Sequence, residues 1–138
     1  MPELIELIEH IDAIARKKQR DVLSIRFYTR ENTRRYDYRE DPERQRVTDW
    51  LDVNSIAWQP CGPVANENAI QAYRGDIYVD VPFDASDAQF QKLQAYLENP
   101  DGTMRHPSVT FEYYPLVMAM KNAHHDEPGF WDRWAEGF

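Results

Sequence analysis

Along this chain the spacing of apolar residues switches between the two-residue period of a strand and the three-to-four-residue period of a helix. Val22 to Tyr28 alternates, with Leu23, Ile25 and Phe27 on one side and Val22, Ser24, Arg26 and Tyr28 on the other. Asp41 to Leu51 has helical spacing: Asp41 reads as an N-cap, Pro42 suits the first helical position, and Val47, Trp50 and Leu51 share a face. Ser55 to Trp58 and Asp76 to Val81 alternate again. Ser86 to Leu97 returns to helical spacing behind a Ser86 or Asp87 cap, with Phe90, Leu93 and Leu97 inward. Ser108 to Tyr114 alternates once more. Asn54, Pro82, the turn from Asn99 to Gly102, and Pro115 punctuate these segments.

The order strand, helix, strand, strand, helix, strand over residues 22–114 predicts a ferredoxin-like βαββαβ α+β sandwich, in which the first and third strands are central. Ahead of it, Leu4, Leu7, Ile8, Ile11, Ile14 and Ala15 recur on one helical face. Glu3, Glu6 and Glu9 lie early and Arg16, Lys17, Lys18 and Arg20 late, the arrangement that complements a helix dipole. The pattern predicts an amphipathic helix over residues 3–19 that docks on the sandwich or on another chain. Residues 115–138 read as a helical tail: Leu116 to Asn122 suggests a short helix, and Pro128-Gly129 introduces the aromatic residues Phe130, Trp131, Trp134 and Phe138. Residues 59–75 show no clear element, and a connection of that length is either functional or hides one.

With 138 residues, 42% of them hydrophobic, the chain is expected to fold as a single domain, 1–138, around one core. No apolar run approaches the roughly 18 residues of a membrane span, and the N-terminus is acidic and amphipathic where a signal peptide is basic and then apolar. The expectation is a cytoplasmic protein without membrane contact. The single cysteine, Cys61, excludes an intramolecular disulfide and a zinc site of several thiolates. Net charge of −8 argues against broad affinity for a phosphate backbone. Its distribution is uneven: residues 1–46 hold 11 Lys and Arg against 10 acids, and residues 47–138 hold 5 against 14, so the negative excess lies in the second part.

Two groups of residues stand out as candidate binding surfaces. If Leu23, Ile25 and Phe27 pack beneath the helices, the opposite sheet face presents Arg26, Tyr28, Tyr78, Asp80, Glu112 and Tyr114, an aromatic and charged surface suited to a partner. Nucleic-acid readers stack bases on such a sheet, but the carboxylates and the missing aromatic-glycine signature argue against RNA. Occlusion of this face by the terminal helices or by a second copy is the plain alternative. The other group is an Arg-Tyr loop, Arg34, Arg35, Tyr36, Tyr38 and Arg39, with Arg30, Arg44 and Arg46 nearby, where arginine forks suit carboxylate or phosphate. Acids interleave with them, so local pairing on a solvated loop competes with that reading.

Metal and covalent chemistry find little support. His124 and His125 are adjacent, and neighbours on a helix point about 100° apart, so they do not converge on one ion. Cys61 has no histidine brought to it by sequence. Walker, GxGxxG, GxSxG and HExxH patterns are absent, and no cofactor is expected. Together these features predict a small non-enzymatic module of the inhibitor, immunity or regulatory kind, binding a basic protein through an acidic surface. A small enzyme or ligand sensor using Arg26, Tyr28, Tyr78 and Asp80 with residues 59–75 as a lid is the alternative. A structural homodimer through the sheet face or the N-terminal helix is the third reading.

Overall fold

Alternating apolar residues at Leu23, Ile25, Ile77 and Val79 bury one side of a four-stranded antiparallel sheet in a computed structural model that describes residues 8–27, 37–65, 73–106 and 108–136. The strands are β1 (Val22–Arg26), β2 (Trp58–Pro60), β3 (Ile77–Val79) and β4 (Thr110–Tyr114), in spatial order β2-β3-β1-β4. Each neighbouring pair is antiparallel. Leu23 lies opposite Val79 and Tyr113, and Ser24 opposite Tyr78 and Glu112, which fixes the side of every strand residue.

Five α-helices flank the sheet among the described residues: α1 (Ile11–Lys18), α2 (Pro42–Val53), α3 (Ala88–Leu97), α4 (Leu116–Ala119) and α5 (Phe130–Ala135). Short 3₁₀ segments span Tyr38–Glu40 and Met120–Asp126. The start of α2 follows from its sequence: the Asp41 carboxylate accepts the Glu43 N–H at 2.9 Å, and Pro42 has no N–H to leave unpaired. Asp87 caps α3 through the Phe90 N–H at 2.9 Å. None of these helices is long and apolar enough to cross a membrane.

Two apolar layers result. Val47 and Leu51 of α2 and Phe90, Leu93 and Leu97 of α3 close over Leu23, Ile25, Phe27, Ile77, Val79 and Val81. Trp50 and Tyr96 stack at 4.1 Å where α2 meets α3. On the other face, Ile11, Ile14 and Ala15 of α1 and Ala119 of α4 bury Val22, Tyr78 and Cys61. The fold is therefore mixed helix and antiparallel sheet, with helices on both faces.

The N-terminal helix is shorter than its periodicity predicts. It begins at Ile11, and residues 3–7 of the expected span lie outside the described residues. His10 is extended and pairs with Gly62. The Gly62 N–H donates to the Glu9 carbonyl at 2.8 Å and the Ile11 N–H to the Gly62 carbonyl at 3.0 Å. These two bonds hold residues 9–11 in a bridge, and tertiary pairing overrides the helical period there.

A buried ionic cluster joins the two ends of the chain. Asp12, fully buried, accepts the Ala65 N–H at 3.0 Å and the Asn122 amide at 3.0 Å. Arg16 donates through Nη1 to Asp12 at 3.0 Å and to the Ala119 carbonyl at 3.1 Å. Its Nε and Nη2 form a fork onto the Asp126 carboxylate at 2.8 and 2.9 Å. The Leu116 N–H, at the start of α4, donates to Asp21 at 2.7 Å. The C-terminal segment is thus tied to α1 by charge-assisted bonds as well as by apolar contact.

Candidate functional site

The sheet-face residues expected to form one surface are divided by the structure into two groups. Tyr78 is 2% exposed, because α1 lies over it, so it is no exposed anchor. Its hydroxyl donates to Asp80 at 2.8 Å. Arg20 donates to the same carboxylate oxygen at 2.7 Å and Lys18 lies 3.5 Å from it. Burial raises the Asp80 pKa, but the Tyr78 hydroxyl and these two cations outweigh it and hold the group below its ordinary value. Asp80 is an anchor for the C-terminal end of α1. The face is covered at that end, and an open sheet surface through Tyr78 and Asp80 is not what the chain presents.

The second group is Arg26, Glu112 and Tyr114, which line a cleft of about 120 Å³ together with Ser24, Cys61 and Asp76. Ile11, Pro63 and Val64 complete its apolar part. Arg26 reaches both carboxylates, with Nε 3.6 Å from Asp76 and Nη1 3.6 Å from Glu112. Glu112 is partly exposed, whereas only 8% of the Asp76 side chain is. Tyr28 lies outside the described residues.

Residues 61–64 form one wall of the cleft because their backbone is clamped from two sides. The Cys61 N–H donates to the Asp76 carbonyl at 3.0 Å, Gly62 pairs with residues 9–11, and His10 Nδ1 contacts the Pro63 carbonyl at 2.9 Å. The opposite approach to Asp76 is set by Arg44, which donates to the Gly75 carbonyl at 2.9 Å and to the Tyr73 hydroxyl at 3.1 Å. Tyr73 in turn donates to the Asp76 carbonyl at 2.7 Å.

Gly75 has φ +93°, and a Cβ there would overlap Tyr38. Both constraints require glycine. Gly75→Ala is expected to destabilise the fold by about 1–3 kcal/mol, the cost of a strained backbone position. Thermal melting of the variant checks this, and an unchanged midpoint would show that residues 73–76 are not held as described.

Electrostatics single out Asp76. Burial, and then the nearby Glu112 carboxylate, push its pKa up to about 6, and the surrounding Arg26, Arg74 and Arg44 offset only part of that. Cys61, almost fully buried, has its thiol pushed up by burial and then by Asp76, so it stays protonated and is a poor nucleophile. Oδ1 of Asp76 is buried and receives no hydrogen bond from any described residue. The cleft is therefore lined by a buried carboxyl that Arg26 engages through Oδ2 alone, beside a Cys61 thiol that is a poor nucleophile.

Of the Arg-Tyr loop, Arg34, Arg35 and Tyr36 lie outside the described residues. Tyr38 packs edge-on against Tyr73 at 4.8 Å and under the Arg44 guanidinium at 4.9 Å, which is a supporting position behind Asp76. Arg39 pairs with Asp37 at 3.0 Å on the surface, an exposed pair of small energetic weight. Arg46 pairs with Glu43 at 2.6 Å. Arg39 and Arg46 are thus drawn to near neighbours in the chain, and Arg44 to Tyr73 and Gly75.

The His124-His125 pair has a packing role. His125 is buried, with its ring 4.9 Å from Phe130 and 4.7 Å from Trp131, while Asp126 holds Arg16. Among the described residues no three His, Cys, Asp or Glu side chains are grouped so as to hold a metal ion.

Sequence reasoning passed over Asp76, Ser24 and Cys61 as one group. The signal for Asp76 was present: the period of two places it on the same side as Tyr78 and Asp80. Nothing in sequence spacing brings Cys61 beside it. Comparison with known proteins adds no relative: no family model matches the chain, and neither a curated protein nor a solved structure shows significant similarity to it.

Proposed function

We propose that this chain is a cytoplasmic, non-enzymatic binding module of ferredoxin-like architecture that takes a basic protein along the outer edge of β4. The observation that carries the reading is that edge itself. Among the described residues β4 pairs with β1 alone, and Tyr113 on it is 53% exposed. Beside it stand the exposed Phe83, whose ring lies 4.7 Å from that of Tyr113, and Val117 and Met118 at the start of α4. A strand edge that no described residue pairs with, flanked by large apolar side chains, suits the docking of another chain.

Charge selects the partner. The chain carries −8, and Glu112 on β4 is partly exposed. A basic protein is attracted to that surface and captured quickly, with a rate that falls as salt shortens the Debye length to about 8 Å. The ferredoxin-like reading rests on the strand order β2-β3-β1-β4 with antiparallel neighbours, combined with the βαββαβ sequence of elements.

Photo-crosslinking in the source cell tests the proposal. A crosslinking residue at Tyr113 is expected to trap a protein of basic isoelectric point, and one at the exposed Val53 of α2 is not. With the trapped protein purified, Glu112→Lys is expected to lower the association rate about tenfold while dissociation changes little. No product from position 113, or an acidic partner, would overturn the reading.

A further inference from the structure

We propose that the cleft between β1, β4 and residues 61–64 receives a primary ammonium group, with the Asp76 carboxyl as its acceptor. The source we assign is a lysine side chain of the basic partner, a step that rests on the preceding functional reading. Three observations lead there. The Asp76 side chain lines the cleft, is more than nine-tenths buried, and has one oxygen to which no described residue donates. A buried carboxylate oxygen without a donor is costly, and a ligand that donates to the carboxyl offsets that cost.

Charge and shape narrow the ligand. Among the charged residues that line the cleft, Asp76 and Glu112 bring two negative charges and Arg26 one positive, 3.6 Å from each, while Arg44 lies behind Asp76 and donates to Gly75 and Tyr73. The remainder favours a cation. A volume of about 120 Å³ falls well below the roughly 300 Å³ or more of sites for drug-sized molecules, so the cleft admits a head group on a narrow stem. A guanidinium fork seeks two coplanar acceptors, whereas an ammonium is a compact point charge that one oxygen can hold. Ile11, Val64 and Pro63 supply apolar contact for a methylene stem, and Tyr114 an aromatic wall. Glu112 lines the cleft and also stands exposed on β4, the strand of the proposed partner surface, so a lysine from a docked chain is within the geometry of a single interface.

Binding should strengthen from pH 5 to pH 7.5. The groups that face Asp76 are Arg26 of β1, Glu112 of β4, Arg44 of α2, Arg74 and Tyr73 of the preceding segment, and the Cys61 thiol. Of these the Asp76 carboxyl is the one whose proton an incoming cation must displace in that range.

The test is a solution NMR titration of the full chain with n-butylammonium, n-butylguanidinium and n-butanol at constant ionic strength. A tripeptide carrying lysine and its norleucine counterpart follow. The expected result is a saturable shift of the Asp76 carboxyl carbon and of the Ser24 and Gly62 amides with butylammonium. Its midpoint should lie about tenfold or more below those of guanidinium and alcohol. Asp76→Asn should abolish the shift while retaining a cooperative melt, and Glu112→Gln, which leaves the buried acceptor in place, should weaken binding without abolishing it. The lysine peptide should move the same signals and the norleucine peptide should not.

No saturable shift with butylammonium, a preference for guanidinium, or a shift that survives in Asp76→Asn would overturn the ammonium site. Saturation by butylammonium with no response to the lysine peptide would overturn the lysine source and identify a free amine instead. Because these probes need no partner, failure of the crosslinking test at Tyr113 leaves this result separately readable.

Discussion

Replacing Arg16 by Met is expected to lower stability by about 3–5 kcal/mol, the largest effect of any single substitution away from the apolar core. The reason is what remains behind. Asp12 is fully buried, and its pKa is set by opposing effects: burial raises it, while the Asn122, Ala65 and Arg16 bonds lower it further and keep it ionised. Without the guanidinium a buried carboxylate keeps two of its donors and loses its counter-charge. Asp126 loses its forked partner, which is the first cause of its lowered pKa, and the tie between the 3₁₀ segment and α1 opens. For a chain of this size the melting midpoint should drop by roughly 10–20 °C. A double-mutant cycle with Asp12→Asn should show coupling above about 1 kcal/mol. A drop of only a few degrees with no coupling would show that this cluster is not the clamp described.

The second large effect is a pH dependence with an unusual sign. Asp76 has a native pKa of about 6, above the ordinary carboxyl value of 3.8. Between those values the native state holds a proton that the unfolded chain has released. Its stabilising contribution is full below the ordinary value and is lost as pH rises through about 6. The shift of about two units corresponds to at most about 3 kcal/mol. Asp12, Asp80 and Asp126 act oppositely, since their native values are lowered and their contribution disappears as pH falls below the ordinary range. Stability should therefore peak near pH 4, decline between about pH 4 and 6, and level off above that. Asp76→Asn should remove the decline, raising stability at pH 8 by about 1–3 kcal/mol and at pH 5 by about half as much. Denaturant midpoints at the two pH values check this. A wild-type curve that rises from pH 5 to 8, or a variant less stable at pH 8, would refute it. A native state that is less stable because of a buried charge fits a group retained for binding.

Local rules recovered the main elements from sequence. The Asp41-Pro42 start of α2, the Asp87 cap of α3, the alternation of β1 and β3 and the inward sets around Leu51 and Leu93 depend on residues within a few positions of one another. Capping, proline geometry and side-chain periodicity act at that range. The pattern also divided β1 correctly, with Leu23, Ile25 and Phe27 toward α2 and α3 and Val22 on the far side. Of the candidate site, Arg26, Glu112 and Tyr114 were identifiable, because alternation alone assigns them to one face.

Contacts between distant segments decided the rest. Tyr78 looked exposed by its strand period, but α1 folds over it, and strand alternation does not say what covers the second face of a sheet. The extended backbone at residues 9–10, in place of a longer α1, follows from bonds to Gly62, more than fifty positions away. The cleft exists because Cys61 binds the Asp76 carbonyl while Arg44 fixes Gly75, pairings whose partners are far apart in the chain and carry no periodic signature. The raised pKa of Asp76 has the same origin. A carboxyl acquires it from burial and from Glu112 across two strands, and both are properties of the packed chain.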